Sequence, residues 1–245
     1  MDLTEYVAVN QPKDEDVCKA LKRTTPARIC VGKAGSRLKT ETYLRFRADH
    51  AVAQDAVWSY VDEEVVNQLG FIKVQTKCKD KDEYVTRPDL GRTFSEETLE
   101  YMKETCPSHV DVQIIAGDGL SAPAITANLP DIYPMIKEGL EAKGYQLGKP
   151  IFVKYARVAT MDEISEILDA KVTIILIGER PGLATGESMS AYMAYESSTK
   201  KPESQRTVIS NIHKKGMPPV EAGAQIVSLV DKMMEEKKSG IDLRL

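Results

Sequence analysis

Four short segments of this 245-residue sequence set polar side chains beside freely accessible backbone. They are Gly117-Asp118-Gly119-Leu120-Ser121, Ala156-Arg157-Val158, Gly178-Glu179-Arg180-Pro181-Gly182 and Ser210-Asn211-Ile212-His213. Carboxylate, guanidinium, hydroxyl and peptide groups brought together in this way hold a ligand by hydrogen bonds. Each segment follows an apolar run. Taken singly, a glycine turn after a strand is usually punctuation; four in series point to a shared ligand edge. Gly182-Leu183-Ala184-Thr185-Gly186 resembles a phosphate-cradling loop, but Pro181 removes a backbone donor, and neither GxGxxG nor GxxxxGK[ST] occurs. That argues against a stand-alone nucleotide-binding α/β enzyme.

The elements that position these segments follow from hydrophobic periodicity. Val110 to Ala116, Ile151 to Tyr155, Val172 to Ile177 and Thr207 to Ile209 are apolar runs that read as strands buried on both faces. Between and after them, helices are predicted over Leu120–Ala127, Ile132–Lys143, Met161–Leu168 and Val220–Lys237, the last opened by Pro218-Pro219 and closed by Gly240. Strands alternating with helices predict an α/β fold with a Rossmann-like, mostly parallel sheet and flanking helices. Ligands of such sheets bind beyond the carboxyl ends of the strands, where these four turns lie.

The first part of the chain reads differently. Asp14 to Leu21 reads as a short helix, Pro26 interrupts, Arg28 to Gly35 is a strand or turn, and Thr40 to Leu69 has helical spacing ended by Gly70. Phe71 to Thr76 alternates like a half-buried strand, Lys77 to Asp82 is a charged turn, and Ser95 caps a helix to about Glu104. The expectation is a smaller, mainly helical N-terminal domain over 1–105, its boundary falling between about 62 and 110, and an α/β domain over 106–245.

Composition sets outer bounds. Apolar residues make up 42% and charged residues 29%, with a formal net charge of -4, so nothing calls for nucleic acid. No apolar run reaches the roughly 18 residues of a membrane span, and the basic, apolar start of a secretory signal is missing, so a cytoplasmic protein is expected. Cys18, Cys30, Cys78 and Cys106 are scattered, without CxxC pairing or histidines at ligand spacing, and read as reduced structural thiols rather than a metal site.

Ordered blocks along most of the chain resemble the light (small) subunit of ethanolamine ammonia-lyase. They include Val31-Gly32-Lys33-Ala34-Gly35, Leu44-Arg45-Phe46-Arg47-Ala48-Asp49-His50, Arg87-Pro88-Asp89-Leu90-Gly91-Arg92, Glu187-Ser188-Met189-Ser190, Arg206 to His213 and Pro218 to Ala222, besides the first three turns above. The resemblance implies a radical lyase that converts ethanolamine into acetaldehyde and ammonia. It implies a separate TIM-barrel large subunit as partner, with adenosylcobalamin between the two chains, and no catalytic residue on this one. Carried over by position, the family's corrin contacts fall on Val158, with Arg157 beside it, on Glu179 and on Val208. Relatives can carry cysteine where Val208 stands. Base-off cobalamin domains supply a histidine from a DxHxxG motif, which none of His50, His109 and His213 provides, so the resemblance implies base-on cobalamin. Arg45, Arg47 and Asp49 read as a solvated helix face or a subunit contact. Relatives often begin with a longer amphipathic segment that directs them into a bacterial microcompartment; Met1 to Gln11 is at best a remnant of one. A structural partner subunit that never touches the cofactor is the alternative reading.

Overall fold

The computed structural model describes residues 5–25 and 27–244; Pro26 and the first four residues of the N-terminal stretch lie outside the described residues. Two compact units emerge from the contacts, one of residues up to Asp55 with Gly182–Ala184, the other of Ala56–Pro181 with the residues from Thr185.

In the first unit, α1 (Glu15–Arg23) starts where the Asp14 carboxylate accepts the Val17 N–H at 2.9 Å. A two-residue hairpin, β1 (Lys33–Ala34) with β2 (Arg37–Leu38), stands where a strand or turn is expected. α2 (Thr40–Trp58) follows. Asp49 is not on a solvated face of α2: it is buried and paired with Arg28 at 2.7 Å and Arg45 at 2.9 Å. A buried carboxylate needs such partners.

The helical run expected to Leu69 breaks at Ser59. α3 (Glu63–Gln68) restarts it because Asp62 caps the Glu64 N–H at 2.9 Å. β3 (Ile72–Gln75) then enters the main sheet, and α4 (Lys81–Thr86), capped by Asp80, replaces the latter part of the expected charged turn. α5 (Glu96–Thr105) carries the expected Ser95 cap. β4 (Val112–Gly117), α6 (Ala122–Ala142), β5 (Ile151–Lys154), α7 (Thr160–Leu168), β6 (Val172–Gly178), β7 (Met189–Tyr195), β8 (Thr207–Ile212) and α8 (Pro219–Glu236) complete the unit.

The sheet order is β3-β5-β4-β6-β7-β8; pairing is parallel from β3 to β6 and antiparallel at β6-β7 and β7-β8. β7 alone therefore runs backwards, and β8 points the same way as β4, β5 and β6. The fold class matches the α/β expectation. β4 and β6 are buried along their whole length, as strands covered on both faces must be. α6 and α8 pack over one face, with Ile125, Leu129, Ile132, Ile136, Val230 and Met233 among the buried side chains; α7 and α5 cover the other through Met161, Ile164, Leu168 and Met102. Each such side chain contributes about 1.5–3 kcal/mol on burial.

α6 corrects the expectation of two helices. It runs unbroken through Pro130 and Pro134. Each proline removes one helical donor, but Ile125, Leu129, Ile132, Ile136 and Leu140 form one continuous buried stripe that outweighs both losses. β7 has no counterpart in the sequence reading, and β8 extends through Ser210, Asn211 and Ile212, which were expected to be a turn.

β4 exits toward β5 and β6 exits toward β7, so the strand order reverses between β4 and β6, where a ligand crevice is expected in sheets of this kind. Backbone fills it. The Leu120 N–H donates to the Gly178 carbonyl at 3.1 Å, and a Cβ on Gly119 would lie 2.2 Å from the same oxygen. Gly119 also holds φ at +58°, a left-handed conformation. Gly119→Ala is expected to lower the unfolding free energy by about 1–3 kcal/mol, measured by urea denaturation. A wild-type midpoint would show that the β4–β6 turn yields freely.

Candidate functional site

With the switch crevice closed, the open ground lies beside it. The turn after β5 is fixed first. Tyr155 sits at φ +59°, unfavourable for a side chain with a Cβ. Its N–H and that of Ala156 both donate to the buried Asp118 carboxylate at 2.9 Å. The Tyr155 carbonyl accepts from the Thr76 hydroxyl at 3.0 Å, and the Ala156 carbonyl from the Tyr84 hydroxyl at 2.9 Å. Four bonds from β3, α4 and β4 over-determine this turn.

Behind Asp118 lies Lys81, also buried, with Nζ 3.8 Å from the carboxylate and 5.4, 5.5 and 5.9 Å from the Tyr60, Tyr84 and Tyr155 ring centroids. Burial pushes the Asp118 carboxyl above its ordinary range, against Lys81 and the backbone donors, and pushes the Lys81 ammonium below its own, against Asp118. Sequence reasoning names Asp118 only as part of a turn and misses Lys81. A lysine in a charged run carries no mark of burial.

From this turn the chain presents Arg157, Val158 and Ala159. Together with Tyr192 and Val208 they line a cavity of about 270 Å³. Tyr192 of β7 and Val208 of β8 are register partners and share one sheet face. Their neighbours Ala191, Met193 and Ile209 point the other way, into the core under α8. Val208 is 43% exposed. Its exposed side chain is the most open apolar part of the cavity wall.

Glu179 stands outside this cavity. It projects from the end of β6, where its carboxylate accepts from the Ser188 hydroxyl at 2.7 Å, the Ser190 hydroxyl at 2.5 Å and the Asn211 N–H at 3.1 Å. Ser190 lies two residues before Tyr192, so the Glu179 anchor is on the same face, roughly 7 Å along β7. Burial raises the Glu179 pKa, but the Ser190, Ser188 and Asn211 hydrogen bonds and the nearby His213 outweigh it and hold the carboxyl below its ordinary range. It is an ionised acceptor with lone pairs to spare. The structure thus brings Arg157, Val158 and Val208 into one cavity and sets Glu179 at the far end of the same face. None of the three histidines lines the cavity; His213 Nε2 contacts Asn211 Oδ1 at 2.9 Å and Nδ1 accepts from the Lys215 N–H at 3.3 Å.

The cavity sets Val158, Ala159, Tyr192 and Val208 among the charged Arg92, Arg157, Glu203 and Arg206, with free N–H donors at the Val158 turn and the Glu179 carboxylate farther along the same sheet face. The Arg157 N–H reaches the Gly91 carbonyl at 2.8 Å, whereas the Val158 and Ala159 N–H groups have no acceptor among the described residues. Such a surface suits a broad apolar ligand with a rim of amides. It carries no nucleophile paired with a base. Among the described residues no helix is long and apolar enough to cross a membrane.

Comparison with known proteins places nearly the whole chain in one family. The family model for ethanolamine ammonia-lyase light chain (EutC) matches residues 15–244. A Clostridium acetobutylicum protein described as ethanolamine ammonia-lyase small subunit is 71% identical over 233 residues, 95% of this chain and 96% of that protein. Proteins with the same description from Listeria monocytogenes and Clostridioides difficile are 53% and 52% identical over 244 residues, covering 100% of this chain and 83% of theirs.

Proposed function

The chain belongs to the ethanolamine ammonia-lyase light-chain family, and from that premise we propose that it is the small subunit of a lyase that releases ammonia from ethanolamine. With a separate large subunit it binds adenosylcobalamin at their interface, the cofactor keeping its own base as lower ligand. The observation that carries this reading is the cavity on one face of β7 and β8, where the exposed Val208 and the half-buried Tyr192 lie beside the Val158 turn, with the Glu179 carboxylate farther along the face.

The residues present fit the group. Corrin is a broad apolar ring rimmed by neutral amides, so it calls for apolar contact across its face and hydrogen-bonding groups around its edge. Val158 and Val208 supply the first. Glu179 accepts from amide N–H₂ groups, and the free Val158 and Ala159 N–H groups donate to amide oxygens. Bound cobalamin supplies homolytic cleavage of its cobalt–carbon bond; this chain orients the ring and keeps water from one side of it. The engagement of both His213 ring nitrogens within the protein favours base-on binding over replacement of the base by a histidine.

The test is reconstitution. The isolated chain is expected to form no acetaldehyde from ethanolamine and adenosylcobalamin, and the complex with its large subunit to form it. Turnover by the large subunit alone, with undiminished cobalamin affinity in equilibrium dialysis, would overturn the cofactor role and leave a purely structural subunit.

A further inference from the structure

The cavity beside Val158 holds more positive charge than a neutral, amide-rimmed ring requires. Arg206 is already compensated, by Asp162 at 2.6 Å and Glu203 at 3.4 Å. Arg92 and Arg157, on the same cavity, have no carboxylate within 4.0 Å among the described residues. Arg157 donates from one terminal nitrogen to the Tyr84 carbonyl at 2.8 Å and lies 4.3 Å over the Tyr84 ring, while its Nε is buried without any partner. Arg92 has no side-chain partner among the described residues and is exposed. The two are tied in place by the Arg157 N–H bond to Gly91, the residue before Arg92. A guanidinium left unpaired beside a second one is built for an anion with several acceptor oxygens, phosphate above all.

Cobalamin carries one such group. Its acetamide and propionamide arms are neutral, and its only anionic oxygens belong to the phosphodiester of the nucleotide loop, on the side of the lower base. We propose that Arg92 and Arg157 bind this phosphodiester and thereby fix the cofactor's nucleotide tail against the start of α7. Among the described residues, the one negative group lining the cavity is Glu203, which is exposed and shared with Arg206; the buried Asp162 beyond Arg206 is held by that arginine and by the Ser197 hydroxyl at 2.6 Å. This inference rests on the cobalamin reading above and assigns the end of the site that recognises charge.

The two readings separate by choice of corrinoid. The complex of this chain with its large subunit is titrated by equilibrium dialysis with cyanocobalamin, with cobinamide phosphate, and with dicyanocobinamide, which lacks both base and phosphodiester. Arg92→Ala, whose exposed side chain supports nothing else, is expected to weaken cyanocobalamin and cobinamide phosphate about 10-fold or more, and to leave dicyanocobinamide within about 2-fold of wild type. Arg157→Lys, which keeps a charge but loses the fork, is expected to weaken the same two ligands by less. Equal loss for all three corrinoids, or no loss for any, overturns the assignment while the cobalamin reading stands. A wild-type complex that binds no corrinoid overturns both.

Discussion

Asp118→Ala is expected to lower the unfolding free energy by about 3–5 kcal/mol, the cost of breaking a buried charge pair. The reason is what remains. Lys81 keeps its buried ammonium among three tyrosine rings with no counter-charge, and the Tyr155 and Ala156 N–H groups lose their acceptor. A denaturant titration with unchanged slope measures the loss. Removing both charges together, as Lys81→Met with Asp118→Asn, is expected to recover more than half of it, because the amide oxygen still accepts one N–H and the thioether packs against the rings. A double variant no more stable than Asp118→Ala would show that the ion pair itself, rather than relief from an uncompensated charge, holds the turn.

Glu179→Ala is expected to weaken cobalamin binding by the assembled complex about 10- to 100-fold, the range of a hydrogen bond to a charged group. Glu179→Gln, which keeps one acceptor oxygen, falls between. The pH dependence follows from the sign of the shift. The carboxyl titrates lower in the folded chain than in the unfolded one, so its contribution to stability is complete above the ordinary glutamate range and is lost only as the pH falls through the depressed value. Cofactor affinity, followed by equilibrium dialysis, is therefore expected to be level from neutral pH down to about pH 5 and to fall in stronger acid. An unchanged dissociation constant in Glu179→Ala would remove Glu179 from the site.

Much of the sheet is legible from sequence because its strands are covered twice. Val112–Gly117 and Val172–Gly178 are apolar without alternation, and that pattern has few other uses. The caps at Asp14 and Ser95 are legible because a short acceptor before a helical stripe has a local cause. β7 is not. Met189-Ser190-Ala191-Tyr192-Met193-Ala194-Tyr195 lacks β-branched residues, and its burial on both faces erases the alternation that would mark it. α6 misleads for the opposite reason: its prolines are local signals overruled by a stripe that only the folded core makes decisive. Phe71 to Thr76 reads correctly as a strand, yet its partner, β5, lies about 80 residues on, and pairing at that distance leaves no local trace.

The site divides in the same way. Parallel strand order alone puts the turns after β4, β5 and β6 on one edge, and resemblance picks out Arg157, Val158 and Glu179 there, with Val208 inside β8. Neither finds Lys81, whose importance lies in being buried, nor distinguishes Arg92 and Arg157 from Arg206, since pairing with a carboxylate is decided by distances in the fold.

The bonds that hold the turn after β5 span 37, 38, 72 and 79 residues of sequence. None is local, so no short stretch of chain can form this corner of the cavity ahead of the rest. Its order arrives with the long-range docking of β3, α4 and β4 and departs with it. A nascent or partly folded chain therefore holds no half-made version of this corner, which is ordered only in molecules that have passed the folding transition.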